Sequence, residues 1–141
     1  LSADDRPTVV FTHFPPFETG LTFMDQGGVA GADRLRAAIE RHPQVQLLVA
    51  GPLPRPIQTT IGTTLVSTCP STGNQLKLDL HPERAAAVDE PPAFQLHRWD
   101  GERFVTHTGT VREPSVVRSI DLAQFAAEIR SRYEAGEPFT K

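Results

Sequence analysis

Two short apolar runs enclosing one amphipathic segment limit this chain more than any other feature. Thr8-Val9-Val10-Phe11-Thr12 is β-branched and aromatic, and Val45-Gln46-Leu47-Leu48-Val49-Ala50 is apolar at every position but one. Runs of this length and make-up predict strands covered on both faces. Between them, Ala32 to His42 puts Leu35, Ala38, Ile39 and His42 on one helical face. Asp33, Arg34, Arg36, Glu40 and Arg41 fall mostly on the other. Pro43 ends the segment, because the residue before proline avoids helical geometry. Strand, helix and strand in that order predict a βαβ unit whose two strands run parallel.

The first run stops at His13-Phe14-Pro15-Pro16, since proline donates nothing to a ladder. From Phe17 to Gly31 glycines recur without a period, which predicts a long loop of the kind compact domains keep for function. After Gly51 the elements shorten. Ile57 to Ile61, Thr64 to Thr68 and Gln75 to Leu80 read as strands, the last because Leu76, Leu78 and Leu80 alternate with Lys77 and Asp79. Pro82 to Pro92 reads as loop. Asp100-Gly101, between Ala93 to Trp99 and Arg103 to Thr110, predicts a hairpin. Asp121 to Tyr133 predicts an amphipathic helix with Leu122, Phe125, Ala126, Ile129 and Tyr133 as its apolar stripe. Asp121 is its N-cap, with Gln124 three residues on and Gly136 behind it.

Composition narrows the partners. A chain of 141 residues fits one domain, and 38% hydrophobic with 22% charged residues is a globular composition. The net charge of -3 offers no attraction to nucleic acid or to an anionic membrane, so neither is expected as a partner. Cys69 is the single cysteine, which forbids an internal disulfide and suits a cytoplasmic location. No apolar run approaches the ~18–20 residues that span a bilayer. The first residues lack the basic and apolar regions of a signal peptide. The chain begins without methionine and runs almost directly into a strand, as a fragment or a processed chain does.

Candidate chemistry starts at His13. An imidazole at a strand end is either a satisfied structural group or a metal ligand on a rigid mount, and both readings stand at this point. Ala50-Gly51-Pro52-Leu53-Pro54-Arg55 alone is a turn between strands. His42 packs at a helix end, His81 precedes Pro82 in a loop, and His97 and His107 lie on the two hairpin arms. Neither a His-Glu-X-X-His helix nor a phosphate-cradling Gly-X-X-X-X-Gly-Lys loop is present. Ser67, Cys69 and Ser71 are close in sequence with no adjacent base. Gly27-Gly28 is a weak candidate for an anion nest.

Taken in order, several segments share a pattern. They are Phe11-Thr12-His13-Phe14-Pro15-Pro16, Met24-Asp25, Ile39-Glu40-Arg41-His42-Pro43, a strand ending at Gly51, and Leu65-Val66-Ser67-Thr68-Cys69-Pro70-Ser71-Thr72. Over roughly residues 7 to 112 this order resembles the calcineurin-like metallophosphoesterases, in particular their cyclic-nucleotide and glycerophosphodiester phosphodiesterases. The resemblance implies an α/β fold, the C-terminal half of the family's sandwich, with one mixed β-sheet, a crossover helix and a C-terminal helix. Residues 1–7 would form an arm, 8–113 the body and 114–141 a helical extension. The family holds two divalent metals (Mn, Fe or Zn) on Asp, Asn and His, and a metal-bound hydroxide attacks phosphorus.

His13 matches the first histidine of the family's His-His-Pro-Pro motif, a metal ligand there, and Phe14 stands in place of the second. Gly51 and Arg55 match a Gly-His-X-His-Arg motif. Pro52 and Pro54 occupy both of its histidine positions, and proline has no side-chain donor atom. The family's Asp-X-His, Gly-Asp-X-X-Asp and Gly-Asn-His-Asp motifs are missing from these residues. What the resemblance implies for this chain is a vestigial ligand position at His13, no catalytic residue, no cofactor of its own and no hydrolysis by itself.

Three classes of function follow: the C-terminal part of a phosphodiesterase, inactive alone; a degenerate non-catalytic binding or oligomerisation module; or a structural domain with an unrelated small-molecule site. Strands apolar on both faces require cover that two helices do not supply. The expected partner is a second copy, giving a homo-oligomer, or a missing N-terminal half. The helix Asp121 to Tyr133 is expected to swap onto a neighbour or to fold back onto its own sheet.

Overall fold

The computed structural model describes residues 1–51, 53–112, 114–117 and 119–136. Pro52 lies outside the described residues, as does residue 113, on which the boundary of the helical extension was expected. Strand β1 (Thr8–Thr12) leads through a short helix α1 (Thr22–Asp25) and the crossover helix α2 (Ala32–Glu40) into β2 (Val45–Ala50). Strands β3 (Gln58–Ile61) and β4 (Thr64–Thr68) follow. These four strands form one sheet in the order β1-β2-β4-β3. β1 and β4 both run parallel to β2, and β3 is antiparallel to β4, so the sheet is mixed. The parallel pair and its crossover helix are as the periodicity predicts.

One face of the sheet meets α2. Leu48 and Ala50 of β2 and Val66 of β4 pack with Ile39 of the helix, and Leu35, Val10 and Phe17 close the edges. The alternation of strand side chains puts Leu47, Val49 and Ser67 on the opposite face, and all three are buried. That second face was expected to need another chain. Its cover is instead a hairpin, β7 (Ala93–Trp99) with β8 (Phe104–Thr110). Gln95 of β7 hydrogen-bonds the Ser67 hydroxyl at 3.1 Å. Phe104 borders a cleft with Leu47 and Leu65. The hairpin does not reach the edge strand, where Phe11 remains 73% exposed on the same face.

The structure differs from the sequence reading in three places. Gln75 to Leu80 is not one strand: only β5 (Gln75–Leu76) pairs, with β6 (Ala87–Val88) inside the segment expected to be loop. The Asp79 carboxylate accepts the His81 N–H at 3.1 Å and pairs with Arg84 at 3.2 Å. This local bond turns the chain out of the ladder and leaves Leu78 and Leu80 exposed. The loop Phe17 to Gly31 contains α1, closed by bonds from the N–H groups of Met24 and Asp25 to the Leu21 carbonyl. The connection between β7 and β8 takes in Asp100 to Arg103, whose N–H groups at 102 and 103 both donate to the Asp100 carboxylate at 2.9 Å. The expected single sheet is therefore one four-stranded mixed sheet and two separate two-stranded ribbons.

Helix α3 (Leu122–Ala135) is capped as the sequence predicts. The Asp121 side chain accepts the N–H groups of Ala123 and Gln124 at 2.9 and 3.0 Å. Gly136 takes the left-handed conformation at φ 68° and returns its N–H to the Arg132 and Tyr133 carbonyls. No residue of α3 is buried. The alternative in which it folds back onto its own sheet is thus not adopted. Among the described residues no helix is long and apolar enough to cross a membrane.

Candidate functional site

The strands β1, β2 and β4 end side by side. The Gly51 N–H donates to the carbonyls of Thr12 at 3.2 Å and His13 at 3.1 Å, and the Cys69 N–H donates to the Ala50 carbonyl at 3.3 Å. His13, Gly51 and Cys69 therefore form a row at the carboxyl edge of the parallel strands. In open α/β sheets this edge is where ligands gather.

His13 is exposed, and its ring meets the Phe14 ring edge-on with centroids 4.5 Å apart. Its backbone carbonyl is engaged by Gly51. A Cβ built on Gly51 would come only to within 4.0 Å of that carbonyl, so the glycine is not required by the backbone there. Pro54, half-buried, presents its carbonyl to the Leu76 N–H at 2.8 Å. The Arg55 side chain is 12% exposed and turned into the body of the fold. Its guanidinium donates to the Leu76 carbonyl and to Glu90 at 2.6 Å, and the Arg55 carbonyl accepts the Thr68 hydroxyl. Arg55 thus joins the β2–β3 connection to β5 and to the segment before β7. Of the positions singled out in the sequence, the structure brings together His13 and Gly51, and it sends Arg55 elsewhere. Among the described residues no three His, Cys, Asp or Glu side chains come together as a metal-binding group.

A cavity of about 460 Å³ opens next to this row, between the loop that follows β1, the α1 segment, the start of α2 and Leu53. Phe14 is shared: it contacts His13 and borders the cavity. The loop is held from behind by Asp25, whose carboxylate accepts the Thr19 N–H and hydroxyl at 2.9 Å and the Gly20 N–H at 2.8 Å. Three donors on one carboxylate make this wall rigid before any ligand arrives. On the far rim Arg36 pairs with Asp33 and donates to the Pro16 carbonyl at 3.4 Å. The loop Phe17 to Gly31, which the sequence points to as functional, supplies most of the cavity wall, and Leu53 and the start of α2 come to it from elsewhere. Leu53 lies more than twenty residues beyond that loop and meets it only through the crossover.

The remaining histidines lie away from the row. His42 donates its N–H to the Ile39 carbonyl at the end of α2. His81 accepts the Glu83 N–H through Nδ1. His97 meets the Thr106 hydroxyl across the hairpin at 2.8 Å, and partial burial pushes its imidazole pKa below the ordinary 6.5. Asp79 and Asp100 are held below the usual carboxylate range, first by the backbone N–H groups of His81 and Arg103 respectively.

No family model matches the chain. Individual proteins do. The probable glycerophosphodiester phosphodiesterase GpdQ of Arcobacter nitrofigilis is 34% identical over 110 residues, covering 76% of this chain and 40% of the relative. The glycerophosphodiester phosphodiesterase GpdQ of Enterobacter lignolyticus is 30% identical over 105 residues, covering 74% and 38%. A probable cyclic nucleotide phosphodiesterase of Rhodopseudomonas palustris is 32% identical over 104 residues, covering 73% and 38%. The chain thus spans about 40% of the length of the curated relatives it matches. With its mixed α/β sheet and this similarity, the chain belongs to the metallophosphoesterases, among relatives of their glycerophosphodiester and cyclic-nucleotide phosphodiesterases.

Proposed function

We propose that this chain supplies the metal-poor part of a metal-dependent phosphodiesterase: a wall of the substrate site, without the metal centre. The observation that carries the reading is the row at the strand ends. It carries His13 with its ring against Phe14, then Gly51 with no side chain, and Cys69 one strand further on. A structural zinc site takes about four ligands. The donors on this row do not fit two divalent ions. His13 is then a vestigial ligand position, and the substrate class is the phosphodiesters named for the relatives, a glycerophosphodiester or a cyclic nucleotide. The single, half-exposed thiol of Cys69 suits a cytoplasmic setting.

Two measurements test this reading. The purified chain with Mn²⁺ or Zn²⁺ should not hydrolyse bis(p-nitrophenyl) phosphate or cyclic AMP above background. Calorimetry should show no stoichiometric uptake of two metal ions. Metal-dependent turnover, or two tightly held ions, would overturn it.

A second reading, a non-catalytic binding or oligomerisation module, is favoured by the exposed stripe of α3 and by Phe11 on the open edge strand. On that reading the stripe is covered by a second copy of the chain or by a polypeptide carrying the rest of the family fold. Light scattering at micromolar concentration separates the cases. A stable monomer that binds no hydrophobic dye would count against any such partner.

A further inference from the structure

The phosphodiesterase reading leaves two substrate classes open, and the cavity beside His13 discriminates between them. We infer that this cavity receives a flat heterocyclic ring, the base of a nucleotide, rather than a glycerol group. The inference rests on the phosphodiesterase reading for its context and on the cavity for its chemistry.

At about 460 Å³ the cavity lies within the roughly 300–1,000 Å³ of small-molecule sites. Its lining is mostly apolar and in part aromatic, with Phe14, Phe17, Met24, Val29 and Leu53. It carries polar groups at Glu18, Thr19, Asp25, Asp33 and Arg36. Glycerol has a hydroxyl on every carbon and no apolar face. Placed here it could bond the polar rim at Arg36 and Asp33 but would set its hydroxyls against the apolar walls, where they lose water without a partner. A base loses little on its two faces and gains contact with rings and thioether. Its edge needs a donor and an acceptor side by side. The Arg36–Asp33 pair on the rim is such an edge: beyond their mutual contact and the Arg36 bond to the Pro16 carbonyl, the guanidinium keeps further N–H donors and the carboxylate keeps lone pairs. An adenine edge, with a ring-nitrogen acceptor beside an exocyclic amine donor, complements it. The cavity starts at Phe14, which touches His13, so a base inside it places its sugar and phosphate toward the strand ends. The three-donor clamp on Asp25 keeps the wall in place without ligand.

The test uses the full chain without added metal and two phosphate-free probes, adenosine and glycerol, followed by amide chemical shifts. Saturable adenosine shifts at Phe17, Met24 and Val29 are expected, with no saturable response to glycerol. Val29→Trp fills the cavity and should abolish adenosine binding while the hairpin amides stay in place. Arg36→Ala should weaken adenosine about tenfold, the loss of one good hydrogen bond to a charged donor, and it decides the matter if Val29→Trp does not fold. Absence of saturable adenosine binding, shifts centred elsewhere, indifference to Arg36→Ala, or an equal response to glycerol would overturn the inference. Because neither metal nor hydrolysis enters the readout, the phosphodiesterase reading and this one can fail separately.

Discussion

β2 and α3 carry comparable apolar stripes and meet opposite fates. In β2, five of six residues are buried, with α2 on one side and the hairpin on the other. In α3, none of fourteen is buried. The strand is held by its neighbours, whereas the helix is held by its own ends, Asp121 and Gly136. A helix of this length is marginal in water when only its own bonds support it. The contrast shows that apolar periodicity states a demand for a partner and does not say where the partner is.

The largest expected effect lies in the strand. Leu47→Ala or Leu48→Ala should cost about 2–5 kcal/mol in denaturant unfolding, because each opens a cavity in a fully covered layer. Leu122→Ala, on the exposed helix, should stay within about 0.5 kcal/mol. Similar losses at both positions would erase the comparison and place α3 in a packed interface.

Gly109→Ala comes next. A Cβ there would sit 2.7 Å from Cζ of Phe94, whose ring lies across the glycine. Because the clash is with the tip of a partly exposed ring that can turn aside, the cost should lie near the low end for overpacking, about 1 kcal/mol. The double variant Gly109→Ala with Phe94→Leu should recover much of it in the same unfolding assay. No recovery would mean the cost is in the backbone and not in the ring.

Asp121→Ala removes the cap from the first turn of α3 and should cost about 1 kcal/mol of helix stability. Hydrogen exchange should register this in the amides of α3 and leave β2 and β4 unchanged. Faster exchange in the strands would show that helix and sheet unfold together.

The smallest effect is a pH dependence in the hairpin. The His97 imidazole has a folded pKa below the ordinary 6.5 because it is partly buried. The unfolded chain therefore binds its proton more readily. Its contribution is complete above about pH 6.5 and is lost as the pH falls through the lower folded value. Since His97 is only partly buried, the change is modest. His97→Gln should flatten the slope of hairpin stability below pH 6.5, measured from the thermal transition of the β7–β8 signals, and an unchanged slope would assign it to another group.

Much of the sheet layer was legible in the sequence because its signals are dense and local. Pro43 stops α2, the run Val45 to Ala50 has no polar face to expose beyond Gln46, and the parallel pairing of β1 with β2 follows from the helix between them. The hairpin followed from Asp100-Gly101. Lys77 to Leu80 was misread for a physical reason: alternation of Leu76, Leu78 and Leu80 describes a strand only if a neighbour continues alongside, and β6 ends after two residues. The candidate site was legible at His13 and Gly51. At Arg55 only the residue could be read, because its partner Glu90 lies thirty-five positions away.

The sequence by itself determined the βαβ unit, the hairpin and both caps of α3, since each depends on residue chemistry or on spacing within a turn or two. Only the tertiary structure decided that the hairpin covers Leu47 and Ser67, that Phe11 and the stripe of α3 stay open, and that Phe14, Phe17, Val29 and Leu53 surround one cavity. These are contacts between segments far apart along the chain. Their free energy comes from shared burial, which no segment's own pattern specifies.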